Sequence, residues 1–157
     1  GGSMHLFVRN TNFLGGHGIV GGHVPSATGV DFAIKYRGTD QVILCFMGES
    51  VVNTGAFHEA LNMAALWKLP VVYIIENNRY GMGTALDRAT ATWNIAERAS
   101  SYDMSREVVD GQDLAEVMAW LLGGDAPTDD RRLESVALYW HFVDFVWIFI
   151  LSTFYFF

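Results

Sequence analysis

The sequence is poor in cysteine, proline and basic residues. Cys45 is the single cysteine among 157 residues, which excludes a disulfide within the chain and permits a reducing compartment. Lys and Arg number 10 against 17 Asp and Glu, giving a formal net charge of −7. Such an acidic chain is repelled by a phosphate backbone, so we expect no nucleic-acid partner. No basic segment followed by an apolar stretch opens the sequence, so no signal peptide is predicted.

Hydrophobic patterning predicts an α/β fold. Continuous apolar runs predict two strands buried on both faces of a parallel sheet, at 41–47 and 71–75. Apolar residues at helical spacing predict three helices, over 26–36, over 54–69 and from Asp113, whose side chain suits a helix cap. A short third strand is predicted at 107–109, and Gly-rich or polar composition predicts loops at 1–22 and 79–91.

Polar residues follow both of the predicted buried strands. Glu49 comes after the first strand, and Asn78 comes after the second. Because parallel strands joined by one helix end at the same edge of a sheet, these two side chains should be neighbours. Carboxylate and amide oxygens are ligands for Mg²⁺, and the turn Gly48–Ser50 before a helix suits a phosphate. The sequence therefore predicts a site for a metal–diphosphate cofactor.

The last part of the chain differs in composition from the rest. Nearly every residue from Val136 to Phe157 is apolar, and the run is long enough to cross a hydrocarbon layer of about 30 Å. Arg131 and Arg132 precede it, which favours a cytoplasmic or matrix location for the N-terminal part. We therefore predict three parts: a core domain at 1–122, a linker at 123–132 and a hydrophobic, transmembrane-like helix at 133–157. The alternative is a fused tail that only aggregates.

Five strings of the sequence carry a resemblance to a known family. They are GGSMH at 1–5, GHGIVG at 16–21, NMAALWKLP at 62–70, ENNRYGMGT at 76–84 and VDG at 109–111. Through them, residues 1–122 resemble the central part of the alpha subunit of thiamine-diphosphate-dependent 2-oxo acid dehydrogenases, above all the pyruvate dehydrogenase type. The resemblance implies a thiamine-diphosphate-binding parallel sheet with flanking helices, covering part of the family's fold.

The resemblance also implies roles for seven residues in binding thiamine diphosphate and Mg²⁺. The metal ligands would be Glu49, Asn78 and the backbone carbonyl of Tyr80. The further cofactor contacts would be Gly18 and Val20 at the aminopyrimidine ring, and Gly48 and Ser50 at the diphosphate. The family's Gly-Asp-Gly turn is Gly-Glu-Ser here. The carboxylate of Glu49 therefore reaches one methylene further, and Ser50 adds a side chain where glycine lets a phosphate approach the backbone.

The family's reaction is the oxidative decarboxylation of a 2-oxo acid, with transfer of the acyl group to a lipoyl domain. By resemblance, the partners are a beta subunit that completes the active site in a heterotetramer and the lipoyl domain of the acyltransferase. No catalytic residue is assigned to this chain. The expected location is the bacterial cytoplasm or the mitochondrial matrix.

The tail carries a second resemblance. Residues 137–149 are similar to the last transmembrane helix of cytochrome c oxidase subunit three, with His141 and Asp144 at that family's polar positions. The alternative function is therefore a non-catalytic, membrane-associated fusion or fragment in which this helix dominates. A third interpretation is a core that no longer binds the cofactor and only pairs with other subunits.

Overall fold

A computed structural model describes residues 5–121 and the backbone of residues 135–139. The described residues form a parallel sheet whose strands are β1 (Ile43–Gly48), β2 (Val71–Glu76), β5 (Val108–Asp110) and β6 (Ser135–Tyr139). The strand order is β1-β2-β6-β5. A two-stranded antiparallel hairpin, β3 (Tyr80–Gly81) and β4 (Thr84–Ala85), follows β2.

The helices are α1 (His23–Arg37), α2 (Gly55–Trp67), the single turn α3 (Leu86–Ala89) and α4 (Leu114–Leu121). Short 3₁₀ segments occupy 9–11, 49–53 and 95–102. Helix α2 begins after Thr54, whose Oγ1 accepts a hydrogen bond from the amide of Phe57 at 3.4 Å. This cap satisfies one of the amides that an α-helix leaves without an internal partner.

The two faces of the sheet are packed differently. Helices α1 and α2 cover one face, where strand residues such as Met47, Tyr73 and Ile75 join the main core with Phe57 of α2. On the other face, Val72, Ile74 and Val109 pack with Val117 and Trp120 of α4. Strand β2 is buried on both faces, which explains its uninterrupted apolar sequence.

The predicted α/β fold with a parallel sheet and flanking helices is confirmed. The strands and helices predicted within residues 1–122 are present, with ends that differ from the predicted ones by up to three residues. The prediction that β1 is buried on both faces is wrong, because Leu44 and Phe46 are about half exposed and only the face with Cys45 and Met47 is buried. Asp113 caps α4 as expected, because its Oδ1 accepts hydrogen bonds from the amides of Ala115 and Glu116 at 2.8 and 3.2 Å. The predicted loop at 79–91 differs, since it contains the hairpin β3–β4 and α3.

A second difference lies in the predicted hydrophobic helix at 133–157. Residues 135–139 of that range form strand β6, which pairs in parallel with β2 and β5. A short apolar run is compatible with either structure, and here the place between two parallel strands favours the extended one. The remainder of the range, and most of the predicted linker at 123–132, lie outside the described residues.

Among residues 5–121 and 135–139, no helix has the length and apolar character needed to span a bilayer.

Candidate functional site

The carboxyl ends of β1 and β2 lie side by side. The parallel register pairs Gly48 with Glu76, so both strands end at the same level. Glu49 and Asn77 are the next residues along each strand. The convergence of the two strand ends, which the sequence analysis expected, is therefore present in the backbone.

Glu49 is a buried carboxylate at this edge. Its side chain is 4% exposed, and Oε1 accepts no hydrogen bond within the described part of the chain. Removing a carboxylate oxygen from water without a partner is costly, so native proteins rarely leave one in this state. A cation at the end of β1 would supply the missing partner, and the oxygen therefore fits a metal ligand.

The loop after β2 is organised by two asparagine side chains. Asn77 Oδ1 accepts a hydrogen bond from the amide of Arg79 at 2.9 Å, and Asn78 Oδ1 accepts one from the amide of Tyr80 at 2.8 Å. Asn77 is buried, whereas Asn78 and Tyr80 are exposed. An amide oxygen has two lone pairs, so Asn78 Oδ1 keeps one that could reach a cation.

Ser50 brings the two loops into contact. A Cβ atom placed on Gly81 would collide with Ser50 Oγ, so the hydroxyl lies directly against the β3 backbone. The 3₁₀ segment 49–53 and the segment from Asn78 to Gly81 are therefore packed together. A larger residue at 81 would require the Ser50 hydroxyl to rotate away.

The glycine loop before α1 reaches the same edge of the sheet. Gly21 has φ +80, and a Cβ there would lie 3.0 Å from Thr54 Oγ1, so the loop packs closely on the end of the 49–53 segment. The His23 Nε2–H group donates to the carbonyl of Phe46 in β1 at 2.9 Å. Gly18 and Val20 are exposed on this loop, Val20 by 66%, and their backbone is accessible to a ligand.

Glu76 is a second carboxylate at the edge that the sequence analysis did not assign to the site. It is the last residue of β2, and burial raises its pKa above the ordinary value for Glu. The position of Glu76 at the end of a predicted buried strand could have indicated that it belongs to the site. A charged residue at such a position is less accessible to water than one in a loop.

The donor set restricts the kind of metal this edge could hold. No three His, Cys, Asp or Glu side chains gather into a metal site among the residues with described side chains. A metal here would depend on at most two carboxylates, Glu49 and Glu76, with amide and backbone oxygens. Such an all-oxygen set with few charges suits Mg²⁺ bound together with substrate phosphates, and is unsuited to zinc.

Comparison with solved structures supports the class of fold. The chain is similar to an X-ray structure from Mycobacterium smegmatis described as thiamin diphosphate-dependent, with a TM-score of 0.58 and 20% sequence identity. The similarity covers 81% of this chain and 23% of that one. At this identity the likeness concerns the fold alone and supports an α/β fold with a parallel sheet.

Sequence comparison identifies the family. The profile of the Dehydrogenase E1 component family matches residues 1–120, so the chain belongs to this family. It is 50% identical over 119 residues to the pyruvate dehydrogenase E1 component subunit alpha of Rhizobium meliloti, covering 76% of this chain and 34% of that protein. The somatic, mitochondrial subunit from Sus scrofa is 50% identical over 114 residues, covering 73% and 28%. The chain thus spans about a third of the length of the curated relatives it matches.

Proposed function

We propose that this chain forms the cofactor-binding part of a 2-oxo acid dehydrogenase alpha subunit of the pyruvate dehydrogenase type. It would bind thiamine diphosphate with Mg²⁺ at the shared edge of β1 and β2. The observation that carries this proposal is the buried Oε1 of Glu49, which has no hydrogen-bond partner among the residues that the structure describes. A ligand that brings a cation to this oxygen removes the cost of leaving it unpaired.

The residues of the chain would bind and orient the cofactor. Glu49, Asn78 and the carbonyl of Tyr80 would hold Mg²⁺, and Gly48 and Ser50 would lie along the diphosphate. The backbone of Gly18 and Val20 would receive the aminopyrimidine ring, since their loop packs against the 49–53 segment. The cofactor, when bound, supplies the carbanion chemistry of decarboxylation, while the protein provides position and charge neutralisation.

A beta subunit and a lipoyl domain are the partners that this function requires. Aromatic and apolar side chains of α1 and α2 are exposed and available to a partner subunit: Phe32, Tyr36, Met63, Leu66 and Trp67. Phe32 and Trp67 lie 5.2 Å apart between ring centroids, so the two helices share one apolar surface. A heterotetramer that covers this surface, located in the cytoplasm or the mitochondrial matrix, is part of the proposal.

Calorimetric titration of the full chain with thiamine diphosphate and Mg²⁺ tests the function. The double substitution Glu49→Asp and Ser50→Gly shortens the carboxylate and clears the space beside Gly81, and we expect it to tighten binding. Glu107→Asp with Ser101→Gly makes the same two chemical changes at exposed positions and should have no effect. No binding by either the original chain or the double variant would refute the proposed site.

The membrane-associated alternative depends on the apolar composition of residues 140–157, which lie outside the described residues. In that case residues 137–149, which are similar to an oxidase helix, would attach the chain to a membrane, and the chain would not need a cofactor. Alkaline carbonate extraction of membranes from expressing cells separates the two functions. A chain that stays with the membrane pellet and binds no cofactor would favour the alternative.

A further inference from the structure

Arg98 makes two hydrogen bonds to the 3₁₀ segment that carries Glu49 and Ser50. Its Nη1 donates to the carbonyl of Val52 at 2.6 Å, and its Nη2 donates to Asn53 Oδ1 at 2.9 Å. The planar guanidinium presents its donors as a fixed fork, so two acceptors in neighbouring residues are held in one geometry.

Asn53 continues the network in the opposite direction. Its Nδ2 donates to the carbonyl of Ala89 and to Thr90 Oγ1, both at 3.1 Å. The orientation of this amide is determined by its partners, because Arg98 can only donate and the Ala89 carbonyl can only accept. Asn53 therefore connects the 49–53 segment to the end of α3.

This connection fixes the separation of the two loops of the candidate site. Helix α3 directly follows the hairpin that contains Tyr80 and Gly81, and the amide of Leu86 donates to the carbonyl of Arg79 at 2.9 Å. The hydrogen bonds of Arg98 to Val52 and Asn53 hold the 49–53 segment. The hydrogen bonds of Asn53 to the end of α3 hold the loop that precedes this helix. In the described structure Arg98 and Asn53 stabilise the relative position of both loops.

His58 and Tyr102 hold the guanidinium from the other side. His58 Nε2 lies 3.5 Å from Arg98 Nη1, and His58 Nδ1 lies 2.6 Å from the Tyr102 hydroxyl. Since arginine only donates, Nε2 accepts, and the ring proton is on Nδ1, where it is donated to Tyr102. Among the described residues no carboxylate forms an ion pair with Arg98. Its hydrogen bonds therefore fix the positions of neutral acceptors and do not pair opposite charges.

We propose that Arg98 is a positioning residue for the diphosphate turn. Acting through the Val52 carbonyl and Asn53, it sets the distance between the 49–53 segment and the Asn78–Gly81 loop. The proposal rests on the proposed function for the identity of the ligand. The network itself is a property of the ligand-free chain and can be tested without a ligand.

The first measurement is hydrogen exchange of the ligand-free full chain in a mild non-ionic detergent. Arg98→Met should accelerate exchange at the amides of Thr54, Leu86 and Thr90, which are hydrogen-bonded in the two loops. Exchange in β2 should be unchanged. Arg88→Met is the matched control, because Arg88 is exposed on α3 and the chemical change is the same.

The second measurement is calorimetric titration with thiamine diphosphate and Mg²⁺. Losing this pair of hydrogen bonds should weaken binding roughly tenfold or more, and it should also lower the melting temperature, because hydrogen bonds to a charged group stabilise the folded chain. Arg98→Lys keeps the charge but lacks the fork, so it should restore only part of the affinity. Asn53→Ala, at an exposed position, should reproduce the exchange pattern, and its effect should not add to that of Arg98→Met.

The outcomes separate this proposal from the proposed function. If the parent chain binds no thiamine diphosphate, the proposed function is refuted. The hydrogen-exchange data still decide whether Arg98 holds the two loops in position. Acceleration spread through α1 and β2 would assign Arg98 a general structural role and overturn the proposal. Equal affinity of the parent and Arg98→Met chains, or fully additive effects of the two substitutions, would also overturn it. If Arg98→Met fails to fold, Asn53→Ala decides by its own exchange pattern and its own affinity: acceleration spread through α1 and β2, or an affinity equal to that of the parent, would overturn the proposal.

Discussion

Asp31 is the buried acidic residue whose removal should change stability most. It lies on α1 facing the main core, is 0% exposed, and neither of its carboxylate oxygens has a hydrogen-bond partner among the described residues. Lys35 is the cation closest in the helix sequence, but its ammonium donates to the carbonyls of Trp67 and Lys68 at the end of α2. Asp31 is therefore buried without direct compensation.

Burial raises the pKa of Asp31 from 3.8 to about 7, against a smaller opposing effect of Lys35. Each unit of pKa difference corresponds to about 1.4 kcal/mol, so ionised Asp31 destabilises the native state by roughly 4 kcal/mol above pH 7. Between about pH 4 and 7 the folded chain binds more protons at this site than the unfolded chain. Its stability therefore falls as the pH rises through that window, and this loss is absent below it.

Asp31→Ala removes the carboxylate at the cost of a small cavity. We expect a gain in unfolding free energy of about 3 kcal/mol at pH 8, against a total of about 5–15 kcal/mol for a typical domain. At pH 4 the gain should disappear, because the carboxyl is neutral in the folded state and only about half ionised in the unfolded state, so little remains to offset the cavity cost. Urea unfolding of the full chain between pH 4 and 8 measures this difference.

Asp40→Ala is the matched control, since Asp40 is exposed after the end of α1 and should change stability little at any pH. Parallel stability curves for the original chain and Asp31→Ala across the whole pH range would refute the reasoning. That result would mean that Asp31 is paired or hydrated in solution and remains ionised at low cost.

Two further predictions concern α2 and β1. Burial raises the pKa of the Cys45 thiol to about 12, so a disulfide exchange reagent at pH 8 should label the native chain far more slowly than the chain unfolded in urea. Equal labelling rates would show that β1 is accessible. Thr54→Ala removes the cap of α2 and should lower the unfolding free energy by about 1 kcal/mol, with Thr54→Ser as the conservative control. An equal loss in Thr54→Ser would assign the effect to the methyl group.

Much of the fold could be predicted from the sequence because its signals are local. The apolar runs of β1 and β2 and the periodic face of α2 indicate their structures directly, and Asp113 provides a recognisable helix cap. The convergence of the two strand ends then follows from the topology of parallel strands.

The remaining features depend on contacts that are distant in sequence. Strand β6 is extended because it lies between β2 and β5, and its own apolar residues are equally compatible with a helix. Arg98 lacks a local signal, since its partners Val52 and Asn53 are more than forty residues away. The contact between Ser50 and Gly81 cannot be read from the sequence either, because the two residues are distant along the chain.

Asp31 and Glu49 show why location decides the meaning of a buried, unpartnered carboxylate. Both have an oxygen without a hydrogen-bond partner in the described structure. Asp31 lies in the middle of a helix against the core, where Thr28 and Tyr73 bond to each other, so protonation is the available relief. Glu49 lies at a strand end where two loops meet, and under the proposed function a cation held between those loops would be its partner. The same desolvation cost lowers stability at Asp31 and would favour ligand binding at Glu49.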